Sequence, residues 1–311
     1  GTGKANLNDY VQAMKEGWNY GGNTTQPSWL NITSSGTTRF IAENDGKLYV
    51  LNCSPWGTPE INIIDAYTGN DTGSDVNIEG VSGGLTQISS MRFVNGTLVA
   101  ANAVNANHTF TVYAWKNGVS SAPVKILEDA THGGLVMGSN ISISGDLTNG
   151  YIWATDDGVK NVLRYTISNG TVNATPSVIA LTKDGSAMAL AGSRGAGEVI
   201  PNEDGTFWVD GQDYYPILFS ASGVYKSEMN AGALNNNNRG TALKFFNYGD
   251  KKYAAGVAYL DGLKNGFFTL CNVTNGIDLT TGYNCKYPAN GLGGDTNAQN
   301  ISSICQSISD D

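Results

Sequence analysis

The chain has 311 residues with a net charge of −9, and only 14% of them are charged. Its 40 Gly and 34 Asn favour turns, so the composition excludes a long-helix or coiled-coil fold. The hydrophobic share of 40% excludes a disordered chain. The acidic balance, without clusters of Lys and Arg, excludes nucleic acid as a partner. The length fits two domains or one large all-β or repeat architecture.

The N-terminal stretch is predicted to be helical before the rest of the chain turns to strands. Residues 6–16 place Leu7, Tyr10, Val11 and Met14 at helical spacing. The spacing predicts a short amphipathic helix. We treat residues 1–35 as this helix followed by a segment that closes the fold.

A repeated pattern organises the remainder of the chain. Each copy has an apolar alternating strand, a tight turn rich in Asn, Asp and Gly, a second strand, a variable loop, a third strand and a weaker fourth strand. The copies lie near residues 37–80, 88–128, 139–181, 196–229 and 241–280, and a fragment at 299–311 repeats a first strand. In the first copy the fourth strand is placed at the DVNI sequence, residues 75–78.

The spacing of the copies predicts the fold. The second strands start at Lys47, Thr97, Gly150, Thr206 and Lys251, at intervals of 45 to 56 residues. A four-stranded antiparallel unit at about this interval is typical of a β-propeller blade. We therefore predict one all-β domain over residues 1–311, a β-propeller of about six four-stranded blades. The alternative, an up-and-down sandwich of five hairpin pairs, gives no reason for a regular interval.

Four cysteines allow three pairings, and none lies in a CxxC arrangement that would indicate zinc. We expect two disulfides. A Cys271–Cys285 bond would tie a local hairpin, and a Cys53–Cys305 bond would join the two ends of the chain. Buried free thiols are the alternative.

The expected location is outside the cytoplasm. No stretch of the sequence approaches the roughly 18–20 apolar residues of a transmembrane helix. We expect a secreted or cell-envelope monomer, with a signal or lipoprotein peptide removed before Gly1.

The candidate ligand-binding residues lie in loops that join second and third strands and in loops between blades. The predicted site residues are Trp56, His108, Asp156, Arg194, Asp210, Asp213, Tyr214, Tyr215, Arg239 and Asp261. Aromatic rings beside short carboxylates and amides are suited to sugars, because the rings stack on the pyranose and the polar groups bind its hydroxyls. The alternative is that the aromatic residues cap the blade ends. Likewise, Arg194 and Arg239 either bind an anion or bridge neighbouring blades.

The sequence contains no complete catalytic motif. A glycosidase needs two carboxylates, which Asp156, Asp210, Asp213 and Asp261 could supply, but loop Asp residues before Gly are normally turn formers. The only histidines are His108 and His132, and HxH and HExxH motifs are absent. We expect no cofactor; calcium at residues 156–158 or 70–75 is the alternative.

Several short motifs resemble one family. PSWL, TRFI followed by KLYVLN, IDAYTG, VNIEGVSGG and the terminal first-strand fragment resemble exported Bacteroidetes-type β-propeller proteins of unknown function. The resemblance implies a location at or beyond the cell envelope, and no reaction follows from it. The sequence thus favours a non-catalytic module that binds glycans or a surface protein. A polysaccharide-active enzyme with an Asp pair and a structural scaffold of an envelope complex are the alternatives.

Overall fold

The structure is a computed structural model that describes most of the repeated region. It covers residues 18, 25–31, 37–54, 57–190, 197–211, 214–229, 243–260, 265–274 and 285–287, with the backbone alone at 257–260, 265–271 and 285–287. The predicted N-terminal helix and the predicted partial blade at 299–311 lie outside the described residues.

The described residues are almost entirely strands. In chain order they are β1 (Thr38–Asn44), β2 (Lys47–Asn52), β3 (Glu60–Asp65), β4 (Asp71–Asp75), β5 (Thr86–Val94), β6 (Thr97–Ala103), β7 (Phe110–Ala114), β8 (Val124–Asp129), β9 (Met137–Gly145), β10 (Gly150–Asp156), β11 (Asn161–Ser168), β12 (Thr171–Val172), β13 (Ser177–Ala180), β14 (Thr182–Lys183), β15 (Ser186–Ala187), β16 (Glu198–Pro201), β17 (Phe207–Gly211), β18 (Tyr214–Phe219), β19 (Tyr225–Glu228), β20 (Leu243–Tyr248), β21 (Lys251–Leu260), β22 (Asn265–Asn272) and β23 (Cys285–Tyr287). A single 3-10 turn, His132–Gly134, is the one helical element of this part of the chain.

The strands form consecutive antiparallel meanders, which confirms the predicted four-stranded units. Sheet 1 is β1–β4, sheet 2 is β5–β8, sheet 4 is β16–β19 and sheet 5 is β20–β23. In sheet 3, β9, β10 and β11 are followed by two short strands, β12 and β13, which both pair with β11. A small hairpin, β14–β15, links sheets 3 and 4. The division of the whole chain into one domain stays a prediction.

The tight turns between first and second strands follow from their sequence. Asp45 and Gly46 in sheet 1 have φ of 52° and 69°, and Asn95 and Gly96 in sheet 2 have φ of 47° and 78°. Two consecutive residues with positive φ make the type I′ turn, which Asn-Gly and Asp-Gly sequences favour because its twist matches that of the strands. These turns fix the register of β1 on β2 and of β5 on β6.

The sheets pack face to face in chain order, with apolar residues on both faces of each inner sheet. On β6, Leu98 and Ala100 pack into the cluster shared with sheet 1, whereas Val99 and Ala101 pack into the cluster shared with sheet 3. Because the side chains of a strand alternate between its two faces, the continuous apolar sequence of β6 contributes to the clusters on both sides of sheet 2. The first strands β1, β5, β9, β16 and β20 contact one another in succession. This arrangement is typical of propeller blades, with the first strand innermost.

The fourth strand of sheet 1 was predicted wrongly at residues 75–78. It lies at Asp71–Asp75, and all of its residues are exposed. An outer edge strand needs only hydrogen bonds to β3, so its sequence carries no apolar signal. The apolar Val76 and Ile78 that suggested a strand instead pack into the core between sheets 1 and 2.

Among the described residues, no helix is long and apolar enough to cross a membrane.

Candidate functional site

A buried ion pair lies among the inner strands of the sheets. Arg92 on β5 and Glu198 at the start of β16 are joined by an Nη2–Oε2 contact of 3.1 Å, with side-chain exposures of 12% and 3%. They belong to sheets 2 and 4, so the pair spans the inner strand of sheet 3. A buried pair of this kind is retained only when further hydrogen bonds satisfy both partners.

Further contacts connect this ion pair to sheets 1, 3 and 5. The same Nη2 of Arg92 donates to Asn140 Oδ1 of β9 at 2.9 Å, and the guanidinium lies 4.8 Å from the centroid of the Phe40 ring on β1. The backbone N–H of Leu243 on β20 donates to Glu198 Oε1 at 3.4 Å. We call Phe40, Arg92, Asn140, Glu198 and the Leu243 amide the axis cluster. It ties the five inner strands to one another.

A second carboxyl group lies beside Glu198. Asp210 at the end of β17 is the register partner of Glu198 and is 0% exposed. Opposed residues on antiparallel strands place their side chains on the same face, so the two carboxyl groups are neighbours. Burial, and then the charge of Glu198, raise the pKa of Asp210 well above its usual range, while a hydrogen bond from the Gly211 amide lowers it. The buried position therefore disfavours ionisation of Asp210.

Tyr214 completes this buried region. Its ring is half-buried, but its hydroxyl is buried and finds no hydrogen-bond partner among the described residues. The hydroxyl lies over Gly211, where any side chain would collide with it. Burial, followed by the charge of Asp210, raises the pKa of Tyr214 well above its usual range. Tyr214 thus stays a neutral phenol.

The start of β16 is held in place by close backbone packing. Gly197 precedes Glu198, and a Cβ on it would lie 3.1 Å from the side chains of Thr155 and Val159 in sheet 3. Thr155 Oγ1 donates to the Gly197 carbonyl at 3.1 Å. This approach fixes the backbone from which Glu198 extends.

Three members of the axis cluster, Arg92, Glu198 and Leu243, line the floor of a cavity of about 780 Å3, which we call the axial cavity. Its walls combine polar and aromatic side chains from sheets 2 to 5, including Ser142, Asn202, Lys244, Phe245, Phe246, Asn247 and Lys252. The wall residues lie towards the ends of the first strands, so the cavity opens at the hairpins between first and second strands. Asp210 lies outside its lining. Of the two neighbouring carboxyl groups, a ligand in the axial cavity can therefore contact Glu198 but not Asp210.

The predicted loops lie at the opposite edge of the sheets. Of the predicted site residues, the structure describes His108, Asp156, Asp210, Tyr214 and Tyr215. Outside the described residues lie Trp56, Arg194, Asp213, Arg239 and Asp261. A ligand site on this loop edge stays a prediction.

The side chain of Asp156 stabilises a turn, which was the alternative to its role as a glycosidase carboxylate. Its Oδ1 accepts the amides of Lys160 and Asn161 at 2.7 and 2.8 Å, and its Oδ2 accepts Asn161 Nδ2 at 2.6 Å. Both oxygens are thus engaged in closing the loop between β10 and β11. Calcium at residues 156–158 or 70–75 stays a prediction.

The two histidines meet near the end of sheet 2. His132 Nε2 lies 2.8 Å from the His108 carbonyl, and His108 Nδ1 lies 2.6 Å from Asn105 Oδ1. The His132 amide donates to Asp129, whose other oxygen accepts the Tyr165 hydroxyl at 2.9 Å. These contacts hold the connection from sheet 2 to sheet 3 in place.

The predicted disulfides remain untested. Cys53 is buried with a free thiol, and its proposed partner Cys305 lies outside the described residues. Burial raises the pKa of the Cys53 thiol. In sheet 5, Cys285 is the register partner of Leu270, next to Cys271 in the chain.

Arg92 and Glu198 were not predicted as site residues, because the candidate residues were sought in loops and both lie on strands. A usable signal was present: in a chain with 14% charged residues, Arg92 interrupts the largely buried strand β5 and Glu198 begins an apolar strand. A charge inside such a strand needs a partner, since an unpaired buried charge is costly. The identity of the partner, 106 residues away, depended on the packing of the sheets.

This fold and site place the chain in a class of all-β proteins with consecutive four-stranded sheets, and comparison with known proteins gives the family. Residues 28–271 match a family described as a domain of unknown function, DUF8500. The chain belongs to this family. None of the curated proteins matches the sequence.

Solved structures with the same fold are distant in sequence. A DUF4623 family protein from Bacteroides eggerthii aligns with a TM-score of 0.68 at 17% identity, over 90% of this chain and 65% of that protein. This chain therefore spans about two thirds of the length of that protein. The GH93 α-L-arabinofuranosidase of Fusarium graminearum, solved with arabinobiose, aligns with a TM-score of 0.50 at 9% identity, over 85% of each chain.

Proposed function

We propose that this protein is a β-propeller of about six blades that binds a neutral oligosaccharide in the axial cavity without hydrolysing it. We place it outside the cytoplasm, as a secreted or envelope protein. The observation that carries the proposal is the axial cavity itself, about 780 Å3 in volume, with aromatic and amide side chains over a floor whose charges are already paired.

The cavity wall suits a sugar ring. Phe245 and Phe246 are both half-buried, so each keeps part of its ring surface accessible beside the amides of Asn202 and Asn247. Aromatic surface packs on the C–H face of a pyranose, and amides both donate to and accept from its hydroxyls. Lys252 Nζ lies 5.3 Å from the Phe245 ring centroid, which adds a donor at the rim.

The charge balance of the cavity favours a neutral ligand. Its lining carries three cationic and three acidic side chains: Arg92, Lys244, Lys252, Glu198, Glu203 and Asp204. Arg92 and Glu198 neutralise each other in the floor. The backbone amide of Thr206 donates to Asp204 Oδ1 at 2.9 Å, so the Asp204 carboxylate stabilises the turn in which it lies. No net charge is left to recruit an ion to this cavity.

The same geometry supports binding over hydrolysis. Glycoside hydrolysis uses two carboxyl groups that flank one bond of the substrate. Glu198 has both oxygens engaged, by Arg92 and by the Leu243 amide, and Asp210 is fully buried outside the cavity lining. A structure of the same fold holds arabinobiose, which makes arabino-oligosaccharides a reasonable first probe.

The proposal is tested by calorimetric titration with neutral oligosaccharides, starting with arabino-oligosaccharides and followed by xylo- and gluco-oligosaccharides. Phe246→Ala should weaken binding about tenfold, since a ring contact contributes roughly 0.5–1.5 kcal/mol beyond its buried area. Tyr67→Ala is the matched control, because Tyr67 is an aromatic side chain, 65% exposed, away from the cavity. Absence of binding by every neutral probe, or release of new reducing ends on prolonged incubation, would contradict the proposal.

A further inference from the structure

A second cavity of about 610 Å3 lies between sheets 3 and 4, at the same edge as the axial cavity. It is lined by Tyr151, Trp153 and Arg164 of sheet 3 and by residues 201–203 and 205–206 of sheet 4, among others. Residues 201–203 line both cavities, so one wall separates them. We call this second space the flanking cavity.

Arg164 is the residue of the flanking cavity whose hydrogen-bonding capacity is not satisfied among the described residues. Its guanidinium lies 4.7 Å from the Tyr151 ring centroid and 5.4 Å from that of Trp153. Its Nε is buried and has no hydrogen-bond partner among the described residues, and in this part of the chain no carboxylate forms an ion pair with it. A buried guanidinium nitrogen without an acceptor is unfavourable unless a ligand supplies one.

Strand pairing and a side-chain hydrogen bond hold the surroundings of Arg164 in place. It lies on the central strand β11, opposite Trp153 on β10 and Ser177 on β13. The Trp153 indole N–H donates to Ser144 Oγ at 2.8 Å, which fixes the ring on which the guanidinium rests. Tyr151 is 36% exposed, so its ring offers aromatic surface to a ligand beside the cation. Arginine presents a planar fork of donors that matches a carboxylate or sulfate.

We propose that the flanking cavity binds an anionic group, a carboxylate or a sulfate, carried by one sugar of a mostly neutral glycan. The ring of that sugar packs on Tyr151, and its anionic group accepts hydrogen bonds from Arg164. Because the two cavities adjoin at residues 201–203, the next sugars extend past this wall into the axial cavity. The inference rests on the proposed function for this neutral part of the ligand.

The charge of the protein limits the ligand to isolated anionic groups. Glu203 is exposed on the wall between the cavities, and the chain as a whole carries a net charge of −9. Both repel a polyanion at long range. A single acidic group can pair with Arg164, whereas an acidic sugar at every position would place further anions beside Glu203 on the shared wall.

The test compares three oligosaccharides of equal length by calorimetric titration: a neutral one, one with a single terminal hexuronic acid, and one with a single terminal sulfate. The acidic probes should bind the natural protein about tenfold to a hundredfold more tightly than the neutral probe, as expected for charge-assisted hydrogen bonds. Arg164→Gln should remove this preference and leave the affinity for the neutral probe unchanged. The better of the two acidic probes identifies the anionic group.

Two further variants keep the test independent of folding defects. Arg164→Lys keeps the charge without the fork and should retain only part of the preference. Lys183→Gln is the matched control, because Lys183 Nζ also lies over an aromatic ring, 4.0 Å from the Tyr225 centroid, but outside both cavities. It should leave all three affinities unchanged.

The possible results separate this inference from the proposed function. Equal affinity for neutral and acidic probes, or an equal loss for all probes in Arg164→Gln, would overturn the inference and leave the proposed function standing. Binding of a hexuronic acid monosaccharide that Arg164→Gln abolishes, without binding of any neutral oligosaccharide, would support the anionic site and overturn the proposed function.

Discussion

Replacing Arg92 with Met is expected to lower the free energy of unfolding by about 3–5 kcal/mol, a large share of the stability of an ordinary domain. The change leaves the Glu198 carboxylate, which is 3% exposed, without its counter-ion and beside the buried Asp210. It also removes the contacts to Asn140 and to the Phe40 ring that join sheets 3 and 1 to sheet 2. Urea denaturation followed by tryptophan fluorescence measures the effect.

The matched control is Lys125→Met, which breaks the other ion pair of the described residues. Lys125 Nζ and Glu128 Oε1 are 2.9 Å apart, but the two side chains are 44% and 54% exposed. An exposed pair contributes about 0–1 kcal/mol. Similar losses in the two single variants would contradict the assignment of Arg92 to a buried cluster.

The double variant Arg92→Met/Glu198→Leu separates the cost of an orphaned charge from the loss of packing. Replacing both partners of a buried pair with apolar residues is often neutral or stabilising, because the desolvation of both charges is also removed. We therefore expect the double variant to recover most of the loss. A double variant as unstable as Arg92→Met would show that packing of the arginine stem, not charge pairing, holds the inner strands.

The stability of the protein should fall as the pH rises above about 4, the ordinary pKa of an unfolded Asp. The pKa of Asp210 is raised well above that value by burial and by Glu198, so the folded state holds a proton that the unfolded state releases. When the folded state binds more protons, the free energy of unfolding decreases with pH, by up to about 1.4 kcal/mol per pH unit for one group. The decrease ends at the folded pKa of Asp210.

Asp210→Asn should remove this slope, because the amide cannot ionise. The free energy of unfolding of the variant should equal that of the natural protein near pH 4 and exceed it at pH 8. Urea denaturation at a series of pH values measures both. Asp146→Asn is the matched control: hydrogen bonds from the Asn149 and Thr148 amides lower the pKa of Asp146, so its contribution is lost only as the pH falls below about 4. A slope between pH 5 and 8 that survives in Asp210→Asn would show that another group causes it.

The strand order was largely predictable because the turn chemistry repeats. In sheets 1 and 2, Asp45 and Asn95 have positive φ and are followed by Gly, and each pair marks the hairpin between a first and a second strand. Asn169-Gly170 and Asp184-Gly185 mark the later hairpins β11–β12 and β14–β15 in the same way. The apolar alternation then fixed the inner strands. The edge strand β4 escaped prediction because it is polar and exposed, so neither burial nor alternation marks it.

The candidate site was much less predictable than the fold. Asp210 and Tyr214 were selected from the sequence as loop residues that face a ligand, yet Asp210 is fully buried beside Glu198 and the Tyr214 hydroxyl is also buried. The sequence places these residues at a strand end but does not say which neighbour covers them. The cavities lie between side chains of different sheets, so their position depends on tertiary packing.

The decisive measurement is a crystal structure of the protein with a bound neutral arabino-oligosaccharide. We expect an intact oligosaccharide in the axial cavity, with one ring packed against Phe246 and hydroxyls within hydrogen-bond distance of Asn202 or Asn247. An oligosaccharide bound at the loops between second and third strands, beside Tyr215, or a cleaved product in the axial cavity would contradict this expectation.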